Sequence, residues 1–212
     1  MIKIKKFVFN AFMVNTYLLS DETGECILID AACYGPEEES EIRTFVAGNN
    51  LKLVRNLNTH CHIDHILGNS FIAQVYKVNP EYHENSVPVL LGIRHIGTSF
   101  GFEINHIPEP KRFLKDNETI RWGDSSLRVF FTPGHAEGSV CFYNEDQGFV
   151  ITGDVLFKDT IGRTDLPSGD FDQLMNSIKT RLFTLPADTT VYPGHGPETM
   201  IGYEMENNPF IR

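Results

Sequence analysis

The chain lacks an excess of positive charge. Its 212 residues carry 18 Lys and Arg against 28 Asp and Glu, a net charge of -10 with a pI near 5.2. A nucleic-acid phosphate partner or an anionic membrane surface wants a basic patch, so neither is expected. It has no hydrophobic run long enough to span a bilayer. It has no C-x-x-C pair among its four cysteines, Cys26, Cys33, Cys61 and Cys141. At 41% hydrophobic residues the chain can build an ordinary core without cross-links, so the cysteines read as reduced thiols of a cytoplasmic protein. Fixed-period repeats, low-complexity segments and linkers are also missing, and residues 1–212 are expected to form one domain. The opening "MIKIKKFVFNAFMV" resembles a secretory signal only in outline. Asn10 interrupts it, no small-residue cleavage site follows, and Ile2 to Lys5 alternates like a strand. Nothing in the pattern specifies an oligomeric state.

What is present in unusual density is histidine beside acid. "LNTHCHIDHILGN" packs three histidines, an aspartate and a cysteine between Thr59 and His65. One reading is a polar turn; the other is a metal-binding loop. Position favours the second. "LKLVRNLN" (51–58) alternates like a half-buried strand, and "HILGNSFIAQVYKV" (65–78) has near-helical apolar spacing. The cluster would then sit in a strand-to-helix loop, with Asp64 suited to cap the helix.

Around it the pattern gives strands at 2–9, 14–19 and 25–30 and a helix over 35–50 with acids and Pro36 at its start. "SSLRVFFT", "GSVCFYN", "GFVITGD" and "TTVYPGH" read as later strands, and "FDQLMNSIKTRLF" as a helix capped by Asp170. The stretch 79–113 is the least regular and is expected to cover the site as a lid.

Three later strand ends each offer a further metal-binding side chain. His135 follows "TPG", Asp154 follows "ITG", and His195 lies in "YPGHG". The glycines allow close backbone approach. With His60, His62, Asp64 and His65 this makes seven donors, too many for one ion; two ions sharing one carboxylate would use all of them. Imidazole and carboxylate without thiolate suit zinc, iron or manganese.

"THCHIDH", "PGH", "GD" and "PGHG" in that order resemble the metallo-β-lactamase superfamily. "GDVLFKDTIGRTDLPSGD" and "YPGHGPETMIGYEMENNPF" resemble its single-domain, glyoxalase-II-like branch, related to hydroxyacylglutathione hydrolases. The resemblance implies an α/β fold, an αββα sandwich with metals at one edge. It implies that His60, His62 and His135 hold a first ion, that Asp64, His65 and His195 hold a second, and that Asp154 bridges them. Zinc is the leading cofactor. Asp64 and Asp154 become the catalytic carboxylates around a hydroxide shared by the ions. Asp30 in "IDAAC" would support a metal-bound histidine. The substrate implied is a small acyl thioester, S-D-lactoylglutathione or a relative.

Only 16 residues follow Gly196, so the helical domain that grips glutathione in two-domain enzymes is not expected, and Lys111, Arg112 and Tyr203 stand as candidates for that task. Alternatives on the same scaffold are a mononuclear-iron persulfide dioxygenase, whose members carry "CGRTDFQ" where this chain has "IGRTDLP", and a lactonase or β-lactamase. An RNA-processing nuclease would want a basic surface. Cys61 and Cys141 read as core, His83, His95 and His106 as surface or turn residues, and Arg163 with Asp165 as a loop ion pair.

Overall fold

A computed structural model describes residues 1–211. The first sheet begins as an antiparallel meander of β1 (Lys3–Phe9), β2 (Val14–Ser20) and β3 (Glu25–Ile29). Helix α1 (Pro36–Gly48) then crosses over to β4 (Lys52–Leu57), parallel to β3. Helices α2 (Ile63–Ile66) and α3 (Asn69–Tyr76) lead to β5 (Pro80–His83), and α4 (Val87–Ser99) leads to β6 (Arg112–Leu114). These strands lie in sequence order.

The second sheet takes β7 (Thr119–Trp122), β8 (Ser125–Phe131), β9 (Val140–Asn144) and β10 (Phe149–Gly153). A ribbon of β11 (Leu156–Phe157) and β12 (Thr160–Ile161) follows, then α5 (Phe171–Ser177), continued by a π-helical turn over Ile178–Leu182. Strand β13 (Thr190–Pro193) returns parallel to β10, and β14 (Thr199–Met200) and α6 (Ile201–Asn207) complete the layer.

The period of two along each strand builds three of the four cores, the fourth packing Ile93 of α4 against Cys61, Ile63 and Ile66. Tyr17, Leu19, Ile27 and Ile29 point inward and meet Val129, Phe142, Phe149 and Ile151 between the sheets. Their neighbours Leu18, Cys26 and Leu28 point outward onto Ile42 of α1 and Ile72 of α3. On the far side Cys141 and Val150 meet Leu174 of α5 and Ile201 of α6. Helices therefore cover both outer faces of two stacked sheets, the αββα sandwich. Strands β2, β9 and β10 are buried at every position because both of their faces are covered.

Three expectations are corrected. The helix expected over 65–78 is two helices broken at Leu67 and Gly68. A β-carbon at Gly68 would lie 2.4 Å from Cys33 Sγ and 2.9 Å from the Ala31 carbonyl, so the chain turns where the backbones nearly touch. Asp64 is not the cap: His62 holds that position, and Asp64 sits in the first turn. The stretch 79–113 is more regular than expected. Two of its four prolines start elements, Pro80 opening β5 and Pro88 lying in the first turn of α4, while Pro108 and Pro110 lie in the irregular chain before β6. All four cysteines are free and buried, and no helix among the described residues is long and apolar enough to cross a membrane.

The two sheets are tied together at one end. Asn15 donates from its backbone to the Gly194 carbonyl at 2.7 Å and from Nδ2 to the carbonyls of Pro193 and Gly196, both at 2.9 Å. The Tyr17 hydroxyl donates to the same Pro193 carbonyl at 2.7 Å. In the other direction, Val140 donates to the Thr59 carbonyl at 2.8 Å. Asn15 is 2% exposed, so Asn15→Ala removes both of its side-chain bonds to that strand end and leaves the buried Pro193 carbonyl to Tyr17 alone. We expect a loss of about 2–3 kcal/mol, read in urea unfolding as a lower midpoint at unchanged slope; an unchanged midpoint would show that the clamp is not needed.

Candidate metal centre

The tied end is where the seven acidic and imidazole side chains come together. Strand β4 delivers His60 and His62 into the loop, and the single turn of α2 adds Asp64 and His65. Strands β8, β10 and β13 end just before His135, Asp154 and His195. Donor atoms of His60, His62 and His135 lie within 4.8 Å of one another, as do those of Asp64, His65 and His195, and those of His60, His65 and Asp154. Asp154 stands between the groups. Its Oδ1 is 3.4 Å from His65 Nε2, while its Oδ2 is 3.7 Å from His135 Nε2 and 3.4 Å from His195 Nε2.

The partners behind the rings dictate which nitrogen faces inward. His135 Nδ1 lies 2.9 Å from the Arg163 carbonyl, and His195 Nδ1 lies 3.0 Å from the Phe12 carbonyl. A carbonyl only accepts, so each Nδ1 carries a proton and each Nε2 keeps its lone pair when the ring is neutral. His65 Nδ1 donates to Asp30 Oδ2 at 3.0 Å. Thr59 spends its one hydroxyl proton on that same oxygen at 2.7 Å, so at 3.1 Å it accepts from His60 Nδ1.

Four Nε2 lone pairs and two carboxylates are therefore aimed at one space. His62 Nδ1 comes within 2.9 Å of His135 Nε2, and His65 Nε2 within 3.3 Å of His195 Nε2. A proton on His62 Nδ1 makes the first contact a hydrogen bond; across the second, where both Nδ1 protons are committed elsewhere, two lone pairs face each other in the neutral rings and repel unless a cation stands between them. Buried His60 Nε2 and Asp154 Oδ1 have no hydrogen-bond partner among the described residues. Divalent ions fit this donor set; the clusters form a candidate dinuclear site.

Protonation follows the same logic. Burial among other imidazoles keeps His60 well below its ordinary pKa and takes His62 down to about 4. Burial also opposes charge on His195, but hydrogen bonds to Asp154 and Asp64 win and lift it to about 9. His65 is raised by the three carboxylates around it, against its burial. Burial works against ionised Asp154, yet the neighbouring imidazoles hold it well below the usual carboxylate range. Without metal, protons on His65 and His195 fill the place of a cation.

A cavity of about 470 Å³ opens onto His62, Asp64, His135, Asp154 and His195. Helix α4 walls it with Val89, Ile93 and Ile96, which fits a cover over the site. An open cleft beside it is bordered by Phe157, Lys158 and Arg163.

Other residues singled out in the sequence fall elsewhere. Asp170 caps α5, accepting from Gln173 N at 2.9 Å. Arg163 and Asp165 form an exposed two-pronged pair. His83 stacks on Phe131, His95 and His106 are exposed, and Cys61 is buried in none of the three donor groups. Arg112 is bound to Glu81 and Glu118 in a groove it shares with Lys111, and that groove touches none of the seven donors. Tyr203 donates to Asp159 at 2.8 Å. The carbonyls of Phe12 and Arg163 were missed by sequence reasoning, and the cover expected over 79–113 was not read as a helix. A backbone carbonyl leaves no sequence signal, whereas Pro88 followed by apolar residues could have revealed the helix.

A β-carbon at Gly194 would lie 2.2 Å from Asp154 Oδ1 and 2.9 Å from His65 Cε1. Gly194→Ala is expected to weaken metal affinity by about 10–100-fold with an unchanged circular dichroism spectrum; full metal uptake would show that this close approach is dispensable. Metal binding to the chelator-stripped protein should also release protons at pH 7, because His65 and His195 must give theirs up. Competition grows as pH falls and vanishes as pH rises through about 9, the raised value of His195. Apparent affinity should therefore climb over that range in a calorimetric titration; no proton release would contradict the protonated metal-free site.

Comparison with known proteins agrees with this geometry. The description "metallo-beta-lactamase superfamily" matches residues 9–195. A probable metallo-hydrolase of Streptococcus pyogenes is 36% identical, over 100% of this chain and 91% of its own. A hydroxyacylglutathione hydrolase of Haemophilus influenzae is 31% identical, over 95% of this chain and 94% of its own. Among solved structures, the B3 metallo-β-lactamase BLEG-1 superposes with a TM-score of 0.89 at 30% identity, covering 99% of both chains. TTHA1623 in a di-iron-bound form gives 0.85 at 32%, covering 97% of this chain and 99% of its own. ETHE1 from Myxococcus xanthus gives 0.79 at 28%, covering 98% and 83%. Together the fold and the donor clusters support a metal-dependent hydrolase. With the match running from the end of β1 to the last histidine, the chain belongs to the metallo-β-lactamase superfamily.

Proposed function

We propose that residues 1–212 form one cytoplasmic hydrolase domain that cleaves small acyl thioesters, S-D-lactoylglutathione or a relative, in the manner of the glyoxalase-II-like branch. The observation that carries this reading is Asp154, whose two oxygens face the two donor groups at once. In this reading His60, His62 and His135 hold one divalent ion and Asp64, His65 and His195 the other, with Asp154 shared. Zinc is the first choice; the di-iron-bound relative supports iron as an alternative. The name of the Haemophilus influenzae relative, matched over nearly all of its own length, supports the thioester class.

Two adjacent divalent ions, when bound, bring the pKa of water to about 7 and polarise a carbonyl. The chain's own groups do the rest. Asp64 faces the cavity as an acceptor and orients the attacking water. The cavity admits the acyl group, and the open cleft beside Phe157 and Lys158 receives the departing thiol. Water oxygen joins the acyl carbon, the carbon–sulfur bond breaks, and the sulfur leaves as thiolate or takes the proton. No side chain becomes acylated. Asp30 holds His65 and Thr59 in place without touching substrate.

A second reading is an iron-dependent persulfide dioxygenase on the same scaffold, for which the di-iron-bound relative favours the metal. The two are separated by following thiol release from lactoylglutathione and oxygen uptake with glutathione persulfide, each with zinc-loaded and iron-loaded protein. Thiol release is expected with either metal and oxygen uptake with neither. Oxygen uptake by the iron form with no thiol release would replace the hydrolase reading with the dioxygenase one.

A further inference from the structure

The cavity beside the metal centre has a chemical character that narrows the substrate. Its walls are apolar: Val89, Ile93 and Ile96 from α4, Phe12 and Phe100 at the mouth, and Leu166 opposite. Phe12 and Phe100 meet edge to face at 5.3 Å, tying the turn after β1 to the end of α4. No hydroxyl or amide side chain lines the cavity. Among the described residues, its polar side chains are the centre's own histidines and carboxylates and Arg163. That guanidinium is already matched by Asp165, through two hydrogen bonds of 2.7 Å.

Phe100 is 58% exposed and Ile96 is 39% exposed. Such surface gains from being covered by an apolar group. A hydroxyl entering the same space gives up water and finds no side-chain hydroxyl or amide, only Asp64, already engaged at the cation site, and the Arg163 N–H groups that Asp165 leaves to solvent.

We propose that this cavity is an acyl pocket that selects thioesters of unsubstituted, apolar acyl groups over the hydroxy-acyl group of lactoylglutathione. The proposal rests on the hydrolase reading above and sharpens its substrate class. The acyl chain lies along α4, and the thiol portion points to the open cleft. The reaction is the same hydrolysis, so no co-reactant is added.

The test uses the zinc-loaded full chain with S-propionyl-, S-butyryl-, S-hexanoyl- and S-D-lactoylglutathione, which share one leaving group. Each added methylene should raise kcat/KM about threefold to fourfold. The lactoyl ester, which is the propionyl ester plus a hydroxyl, should fall about tenfold below it. Ile96→Ser should flatten the series. Leu91→Ser should not, because Leu91 is 87% exposed on the same helix but lies outside the cavity. A flat series in the native protein, or lactoyl turnover above butyryl, would overturn the proposal. Calorimetry with hexanoate and propionate, which share one carboxylate and differ only in methylenes, reads the pocket without turnover, and hexanoate should bind at least about tenfold more tightly. Thiol release from none of the thioesters would overturn the hydrolase reading alone. In that case equal binding of the two carboxylates would overturn the pocket, and a hexanoate preference would sustain it.

Discussion

A single buried carboxylate organises the centre. Asp30, at the end of β3, accepts from Thr59 N and Thr59 Oγ1, both at 2.7 Å, and from His65 Nδ1 at 3.0 Å. Because the Thr59 hydroxyl is committed to Asp30, its free lone pair turns to His60. One carboxylate thus sets the orientation of two imidazoles belonging to different donor groups. Its own backbone is held at φ 54°, a conformation that aspartate tolerates better than most residues. Gly153, at the end of the facing β10, completes the arrangement: a β-carbon there would collide with the Thr59 hydroxyl at 2.3 Å.

The remaining rings are held by backbone, and here the fold enters the chemistry. His135 and His195 are fixed by carbonyls of loops remote in sequence, Arg163 and Phe12. The Arg163 carbonyl reaches His135 within the second half, but the Phe12 carbonyl meets His195 only when the sandwich is closed and Asn15 has clamped the end of β13 to the first sheet. Convergence of the donors is therefore a property of the assembled sheets rather than of the histidine-rich loop. That loop alone would present three imidazoles and a carboxylate with nothing to decide which nitrogen faced inward.

The sequence was most readable where one physical rule acted alone. Strands β2, β8, β9 and β10 came from alternation or short apolar runs, and the seven donors from their spacing after strand ends. Asp170 was legible as a cap because its side chain bonds a neighbour in the chain. Readability failed where distant contacts decide. The break at Gly68 depends on Cys33 and Ala31, which no helical pattern around residue 68 contains. Helix α4 was hidden because the prolines and glycines of the 79–113 stretch made it look irregular, although Pro88 stands in a first turn that needs no donor there. Arg112 looked available to a substrate until Glu81, buried beneath it, claimed its charge.

The turn after β1 has a double attachment. The Phe12 carbonyl holds the His195 ring, and the Phe12 side chain forms part of the cavity mouth. Asn10, two residues earlier, donates from Nδ2 to the carbonyls of Ala32 and Asp64. Helix α4, by contrast, contributes wall and no donor. The two sides of the chamber are thus unequal material for change. Exposed cavity residues of α4 such as Ile96 can be exchanged to reshape specificity while the centre stays intact, whereas Ile93 is packed against Cys61, Ile63 and Ile66 of the histidine loop. An insertion or deletion in the 10–13 turn shifts a histidine along with the wall, so divergence in this lineage has one free side and one constrained side.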